Sequence, residues 1–391
     1  MSTVAAMPTG SKATASDLEA KNAYFDRLFN DADLKWLGQN TNHVPLHPKV
    51  REALHAAVDD EGFHGYAPPA GLEALRQAIV DDLNIPGARA VVTDGAVSAL
   101  AMAVRAFCGP GRNMVTTDPG WKWPLLFARQ AGAEVTEIPI WGAEHAFRLS
   151  PERLAAAVDE TTSVIYLVDP NNPLGICYTA GEIAAFCAIA RKAGAVLIHD
   201  STYRDFAEGH TPATGLYPEG ALTVVSFSKW LGLAGLRIGA LVAQPELLEQ
   251  AAAWSQAPLG ANVIAQKAAL AGLSVKAEWM AAVQALQREN QARIKAAVDK
   301  LPGFTLPVYP SHGNFLVVEC AEAGIRPEAL VAEYGSRGIM IRQGSYHTPR
   351  FGDRFIKVST TVPAAWMEAF CALLPELAER ARQRNEVPAL F

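Results

Sequence analysis

The sequence predicts an α/β protein: a large, mostly parallel sheet sandwiched by helices, followed by a smaller α/β unit. Three observations carry that reading. Over residues 91–240, short β-branched or aliphatic runs alternate with longer Ala- and Leu-rich amphipathic runs, the texture of strands and helices in turn. Residues 261–300 are then almost entirely helical in composition. Beyond them the alternation resumes on a smaller scale, and 391 residues are ample for two cores.

In chain order, strands are expected at 90–93, 113–117, 135–139, 163–168, 195–200 and 222–226, with helices at 96–108, 124–131 and 180–193. Gly272 reads as a breaker ahead of a long helix at 279–301. Strands at 304–307, 314–319, 339–342 and 355–359, with helices at 327–335 and 363–382, build the smaller unit. The expected organisation is a flexible tail (1–20), an N-terminal segment packing with the small domain (21–50), a large domain (51–285) and a small C-terminal domain (286–391). In such sheets ligands bind outside the C-terminal ends of the strands, so polar residues just after strands are the candidates for chemistry.

Composition removes several classes of function. Half the residues are hydrophobic, 19% are charged, and the net charge is −6 with no basic block, which argues against a nucleic-acid partner. The five cysteines are widely spaced with no CxxC pair, so neither a disulfide framework nor a metal site is expected, and a reducing cytoplasm fits. Residues 1–16 do not read as a signal peptide, and no apolar run approaches the ~20 residues that span a bilayer.

One segment concentrates chemistry: Ser226-Phe227-Ser228-Lys229, then Gly232, Gly235, Arg237 and Gly239. A lysine at the end of a buried strand has its stem in apolar surroundings, which disfavours the ammonium. A neutral amine is what Schiff-base formation needs. The hydroxyls of Ser226 and Ser228 and the planar fork of Arg237 suit a phosphate dianion, and the glycines let backbone approach a ligand. The alternative is a surface turn before a Gly-rich hairpin.

This segment resembles the cofactor-lysine motif of fold-type I pyridoxal-phosphate (PLP) enzymes in the class I/II aminotransferase group. The resemblance runs from about residue 37 to the C-terminal helix, with several motifs in the family's order. It implies the aspartate-aminotransferase fold and PLP held by Lys229 as a Schiff base. In Ile198-His199-Asp200-Ser201-Thr202-Tyr203, a strand-end Asp is costly unless paired. By resemblance Asp200 pairs with the protonated pyridine nitrogen and Tyr203 hydrogen-bonds the ring's phenolic oxygen. Asp169-Pro170-Asn171-Asn172-Pro173-Leu174-Gly175 resembles the family's Asn-Pro-x-Gly turn, which makes Asn172 a second ligand of that oxygen, with Leu174 where Thr is usual. The resemblance further assigns the backbone of Gly95, Ala96 and Val97 to the phosphate and stacks Trp121 on the ring; Trp123 reads as a pocket wall, with a core tryptophan as the alternative. Tyr66, in a Tyr-x-x-x-x-Gly-x-x-x-Leu-Arg pattern, would reach the phosphate of a neighbouring subunit, implying a homodimer with shared active sites.

On the substrate side, Asn40-Thr41-Asn42 and residues 45–50 resemble the entry segment of histidinol-phosphate aminotransferases and threonine-phosphate decarboxylases. Asn42 is the substrate contact this implies, and Arg342 matches an arginine that grips substrate phosphate or another anion. Family members carry an apolar–Arg–apolar–Ser strand whose arginine clamps the substrate carboxylate. Here the strand reads Phe355-Ile356-Lys357-Val358-Ser359, so Lys357 takes that place, with Arg354 three residues earlier as the alternative. Lysine keeps the charge and loses the two-pronged geometry. The implied activity is ping-pong transfer of an amino group from an amino acid or amine to a 2-oxo acid. The alternatives are lyase, decarboxylase or oxidase chemistry on the same scaffold, and a non-catalytic ligand sensor.

Overall fold

The computed structural model describes residues 15–387. The expected tail is shorter than residues 1–20: a helix, Ala15–Asn30, starts inside it, and the rest of that tail lies outside the described residues. After a two-residue strand, β1 (Lys35–Trp36), seven strands build the large sheet: β2 (Arg89–Thr93), β3 (Asn113–Asp118), β4 (Glu134–Pro139), β5 (Thr162–Val168), β6 (Val196–Asp200), β7 (Ala221–Ser226) and β8 (Gly239–Ala243). Four short strands follow: β9 (Phe315–Glu319), β10 (Ile339–Met340), β11 (Arg342–Gln343) and β12 (Phe355–Ser359).

The large sheet has the order β2-β8-β7-β6-β5-β3-β4. Only β8 runs antiparallel to its neighbours. Strands β5 and β7 are buried along their whole length, as continuous apolar runs covered on both faces must be. Alternation sends Tyr166 and Val168 to one face, against Leu100, Val104 and Leu125, and sends Ile165 and Leu167 to the other, against Leu154, Ile183 and Phe186. The helix Ala180–Ala193 has both of its ends written in sequence: Thr179 and Glu182 form a capping box, and Gly194 closes it at φ +65°.

The second unit is an antiparallel sheet, β11-β12-β9, covered by the helices Pro327–Gly335 and Ala364–Gln383. Its core joins Leu316, Val318, Ile356 and Val358 to Tyr334 and Phe370. The N-terminal segment packs here: β1 pairs with β10, and Leu37 enters this core. The long helix Lys276–Val298 serves both cores, with Trp279, Met280 and Val283 in the first and Ile294 and Val298 in the second.

Three expectations need correction, and one strand lies outside the expected set. The run 339–342 is two strands, because at Ile341 the chain leaves β1 and joins β12, with Ile341's backbone packed on Gly38. No strand forms at 304–307; a single bridge joins Thr305 to Glu319, and Pro307 lacks the N–H a ladder needs. Gly272 lies inside the helix Val263–Ser274, where a Cβ would collide with the Leu231 side chain, and the break comes at Val275. Strand β8 went unread because Gly-Ala-Leu-Val-Ala carries little β-branched signal and follows a Gly-rich loop.

Candidate active site

The C-terminal ends of β3, β5, β6 and β7 and the start of antiparallel β8 lie along one edge of the large sheet. A cavity of about 280 Å³ opens there and is closed from the other side by residues 38–41 and by the small unit. Lys229, three residues past β7, reaches into it, and its Nζ donates to the Gln39 carbonyl at 3.2 Å. Burial, aided by the nearby Arg237 charge and opposed by Asp200, pushes its ammonium down to about 8.

Asp200 ends β6 and is 3% exposed. Its Oδ2 accepts from the Tyr166 hydroxyl at 3.0 Å and its Oδ1 from the Thr202 N–H at 3.1 Å. Burial still holds its carboxyl above the ordinary value, despite those hydrogen bonds. Such a group gains most from a cationic partner. Tyr203 follows on the same turn, and its hydroxyl receives Asn40 Nδ2 at 2.9 Å and Asn172 Nδ2 at 3.4 Å.

The opposite end of the cavity is built for an anion. Gly95 precedes the helix Ala96–Phe107 at φ +83°, and the first N–H groups of that helix, those of Ala96 and Val97, have no partner within it. Arg237, itself at φ +55°, donates to the carbonyls of Ala234 (2.9 Å) and Asp94 (3.3 Å). A Cβ at Gly95 would collide with that guanidinium, so glycine is required both for the backbone angle and for the arginine's approach. Ser226 and Ser228 line the same end, joined by a 3.2 Å bond from the Ser228 N–H to Ser226 Oγ.

On the substrate side, Arg342 and Lys357 are register partners across β11 and β12, and both are buried and line the cavity. Lys357 Nζ donates to Asn172 Oδ1 at 3.3 Å. Burial, with the charges of Arg342 and Lys229, drives its ammonium well below the usual lysine range. Arg354 instead pairs with Glu319 at 2.6 Å and does not line the cavity. The Tyr346 ring carries the Arg342 guanidinium at 4.4 Å and Lys122 Nζ at 3.8 Å. Among the described residues lining the cavity, Asp200 is the one acid, set against Lys229, Arg237, Arg342 and Lys357.

Lys229, Asp200, Tyr203, Asn172, Trp121, Ala96, Val97, Ser226, Ser228, Arg237, Arg342 and Lys357 therefore meet in one cavity. Two expected contacts do not. Asn42 is turned away, its amide donating to the Trp230 carbonyl and accepting from the Val44 N–H. Trp123 starts the helix Trp123–Gln130 and lies under Lys21 rather than in the wall. Tyr66, whose expected partner is a neighbouring subunit, is 83% exposed in the single chain. Asn40, Tyr166, Tyr346 and Phe25 belong to the site without having been singled out. Of these, Asn40 had a signal, since it stands in the same Asn-Thr-Asn run as Asn42.

PLP fits these groups. The cation-lined end with its glycine-cleared helix start suits the phosphate, and the one buried acid suits the ring nitrogen. Tyr203 and Asn172 suit the phenolic oxygen, and the depressed lysine suits the aldehyde.

Comparison with known proteins agrees with the geometry. The family model described as aminotransferase class I and II matches residues 32–374. Histidinol-phosphate aminotransferase 2 of Ralstonia nicotianae is 30% identical over 352 residues, 88% of each chain. An aromatic amino acid aminotransferase of Rhodococcus jostii is 28% identical, covering 90% of this chain and 96% of that one. Two solved structures share the fold at a TM-score of 0.80. They are an aspartate aminotransferase of Thermus thermophilus (22% identity, 95% and 97% covered) and the N-succinyldiaminopimelate aminotransferase of Mycobacterium tuberculosis (24%, 93% and 100%). The chain thus belongs to the class I and II aminotransferase family, and it is a PLP-dependent enzyme of that kind.

Proposed function

We propose that the protein moves an amino group from an anionic amino acid or amine to a 2-oxo acid by a ping-pong cycle centred on Lys229. The observation that carries this is the depressed Lys229 amine, in one cavity with Asp200 and an anion cradle. PLP would be held covalently by Lys229, with its phosphate on Ser226, Ser228, Arg237 and the N–H groups of Ala96 and Val97. Bound there, it supplies an electron sink for the bonds at the substrate Cα. Asp200 would keep the ring nitrogen protonated, Tyr203 and Asn172 would donate to the phenolic oxygen, and Trp121 would lie against the ring. Lys229 Nζ, neutral for part of the population near pH 8, would take the proton from the substrate Cα as general base and deliver it as general acid to the cofactor's C4′.

Lys357 and Arg342 are the substrate's anion ligands in this reading. Among the relatives, the names histidinol-phosphate and aromatic amino acid aminotransferase describe substrates that combine an amino group with a ring. Two copies are proposed to share the sites. Tyr66 is free to reach across, beside exposed Trp254 and Leu259 on a loop whose Gly260 abuts Ala67 and Pro68. Among the described residues, no helix is long and apolar enough to cross a membrane.

The test is a half-reaction. A panel of amino donors is added to the holoenzyme with no oxo acid present, and absorbance is followed while the products are identified. A true donor converts the visible band to the shorter-wavelength band of the aminated cofactor, with one equivalent of oxo acid released. Release of carbon dioxide, ammonia or peroxide instead overturns transamination. In the same assay Lys357→Ala is expected to raise KM for the donor roughly 10- to 100-fold, the range for removing a charged partner of a buried anion, with the visible band of the bound cofactor retained.

A further inference from the structure

Outside the lining of the cavity, next to Asp200 in sequence, lies a buried polar cluster of Asp169, His199 and His210. Asp169 Oδ2 is 3.2 Å from His199 Nε2 and 3.4 Å from His210 Nε2. Asp169 and His199 are fully buried, and the two imidazole rings stack at 5.1 Å. The spacing invites a metal, with all three ligand atoms within 4.8 Å of one another. The hydrogen bonds argue against one. His199 Nδ1 accepts the Ala213 N–H at 3.1 Å, so the ring proton sits on Nε2, the nitrogen that faces Asp169. A neutral histidine ligates through a proton-free nitrogen, and here that nitrogen is already taken. The cluster is a carboxylate that receives a hydrogen bond from His199.

What this carboxylate ties together is specific. Its Oδ1 accepts the Tyr178 N–H at 3.0 Å, and its own backbone N–H donates to the Asp200 carbonyl at 3.0 Å. Asp169 thus opens the turn that carries Asn172, and Tyr178 closes it. His199 immediately precedes Asp200 on β6. Burial is the largest single influence on Asp169 and opposes its charge, but the His199 hydrogen bond, the electrostatic influence of the two imidazoles and the Tyr178 N–H together outweigh it and hold the carboxyl below its ordinary value. His210 is held neutral, pushed to about 4 chiefly by burial.

We propose that Asp169 and His199 are positioning residues: through the Asp169–His199 hydrogen bond they fix the turn that aims Asn172 at Tyr203, Lys357 and the cofactor's phenolic oxygen. This rests on the reading of the cavity as a PLP site. Among neighbouring side chains, Asn172 touches Tyr203 on one edge and Lys357 on the other, so a displaced turn disturbs the cofactor and the substrate clamp together.

The test uses holoenzyme variants and reads the pH midpoint of the visible absorbance band. An N–H donated to the phenolic oxygen stabilises its anion, so loss of that bond raises the midpoint. Asp169→Asn sets an amide N–H against the His199 N–H, and His199→Leu removes the donor. Each is expected to raise the midpoint by about one unit, the size of one lost hydrogen bond, and to raise KM for the donor. His199→Gln keeps an N–H donor toward Asp169 and is expected to return the midpoint most of the way to wild type. Folded variants that lose thermal stability and keep the wild-type midpoint overturn the inference, because a purely structural role moves only stability. Where Asp169→Asn does not fold, the His199→Leu and His199→Gln pair decides it. A wild-type protein without a visible, titrating band when reconstituted with PLP instead overturns the reading of the cavity itself.

Discussion

Replacing Lys229 by alanine is expected to abolish covalently bound, visible-absorbing cofactor and to lower turnover by at least about 10⁴-fold, since both nucleophilic anchoring and general acid–base catalysis depend on one amine. The measurement pairs absorbance and mass spectrometry of protein reconstituted with PLP against turnover on the donor found by the half-reaction. The variant should fold. Lys229 Nζ makes one hydrogen bond, to the Gln39 carbonyl, and its removal relieves the crowding of positive charge with Arg237. A folded Lys229→Ala protein with full turnover sinks the assignment of the amine. The pH dependence follows from the same burial. The amine is depressed to about 8, so capture of the cofactor should accelerate as pH rises toward that value and level off above it. An exposed lysine would keep accelerating to near its ordinary value of about 10.4.

Much of this site was legible because its parts are local. Ser226 ends a buried strand, Ser228, Lys229 and Arg237 sit within the loop that follows it, and Asp200 with Tyr203 within one turn. Strand-end placement and polar residue type suffice there. The substrate side was less legible because it is assembled across distance. Arg342 and Lys357 meet only through the β11–β12 register, and Tyr346 joins them from a short helical turn after β11. The run 339–342 is uninterrupted and apolar up to its arginine, so nothing in it announces that the chain changes sheets at Ile341. Asn40 and Asn42 would share a face in an extended strand, and residue type does not tell them apart. Asn40 adopts φ +52°, a left-handed angle that asparagine tolerates, and its amide faces Tyr203 while that of Asn42 turns back to the Trp230 carbonyl. Gly272 shows the converse error: a residue that weakens helices in isolation is kept in one because Leu231 occupies the space beside it.

The second large effect is expected at Asp200. Asp200→Asn preserves the packing. The amide oxygen can still accept the Thr202 N–H, and the amide N–H can donate to the Tyr166 hydroxyl that formerly donated to the carboxylate. What is lost is the charge. The carboxyl sits at 3% exposure with its protonation favoured by burial, so in the protein alone its anion is costly. A cationic ring nitrogen beside it reverses that balance, and the anion in turn keeps the ring protonated and electron-withdrawing. Removing one preorganised charge from a dry site of this kind costs on the order of 10³-fold in turnover. The expected signature is therefore a protein that binds the cofactor through Lys229 and shows its visible band, yet turns over about 10³-fold more slowly, with little change in KM. Tyr166→Phe separates charge from support. It removes one hydrogen bond to Asp200 and keeps the anion, so its loss should be roughly 10- to 100-fold, the size of one hydrogen bond to a charged group. Equal losses in the two variants would mean that the hydrogen-bond frame, rather than the charge of Asp200, governs the reaction.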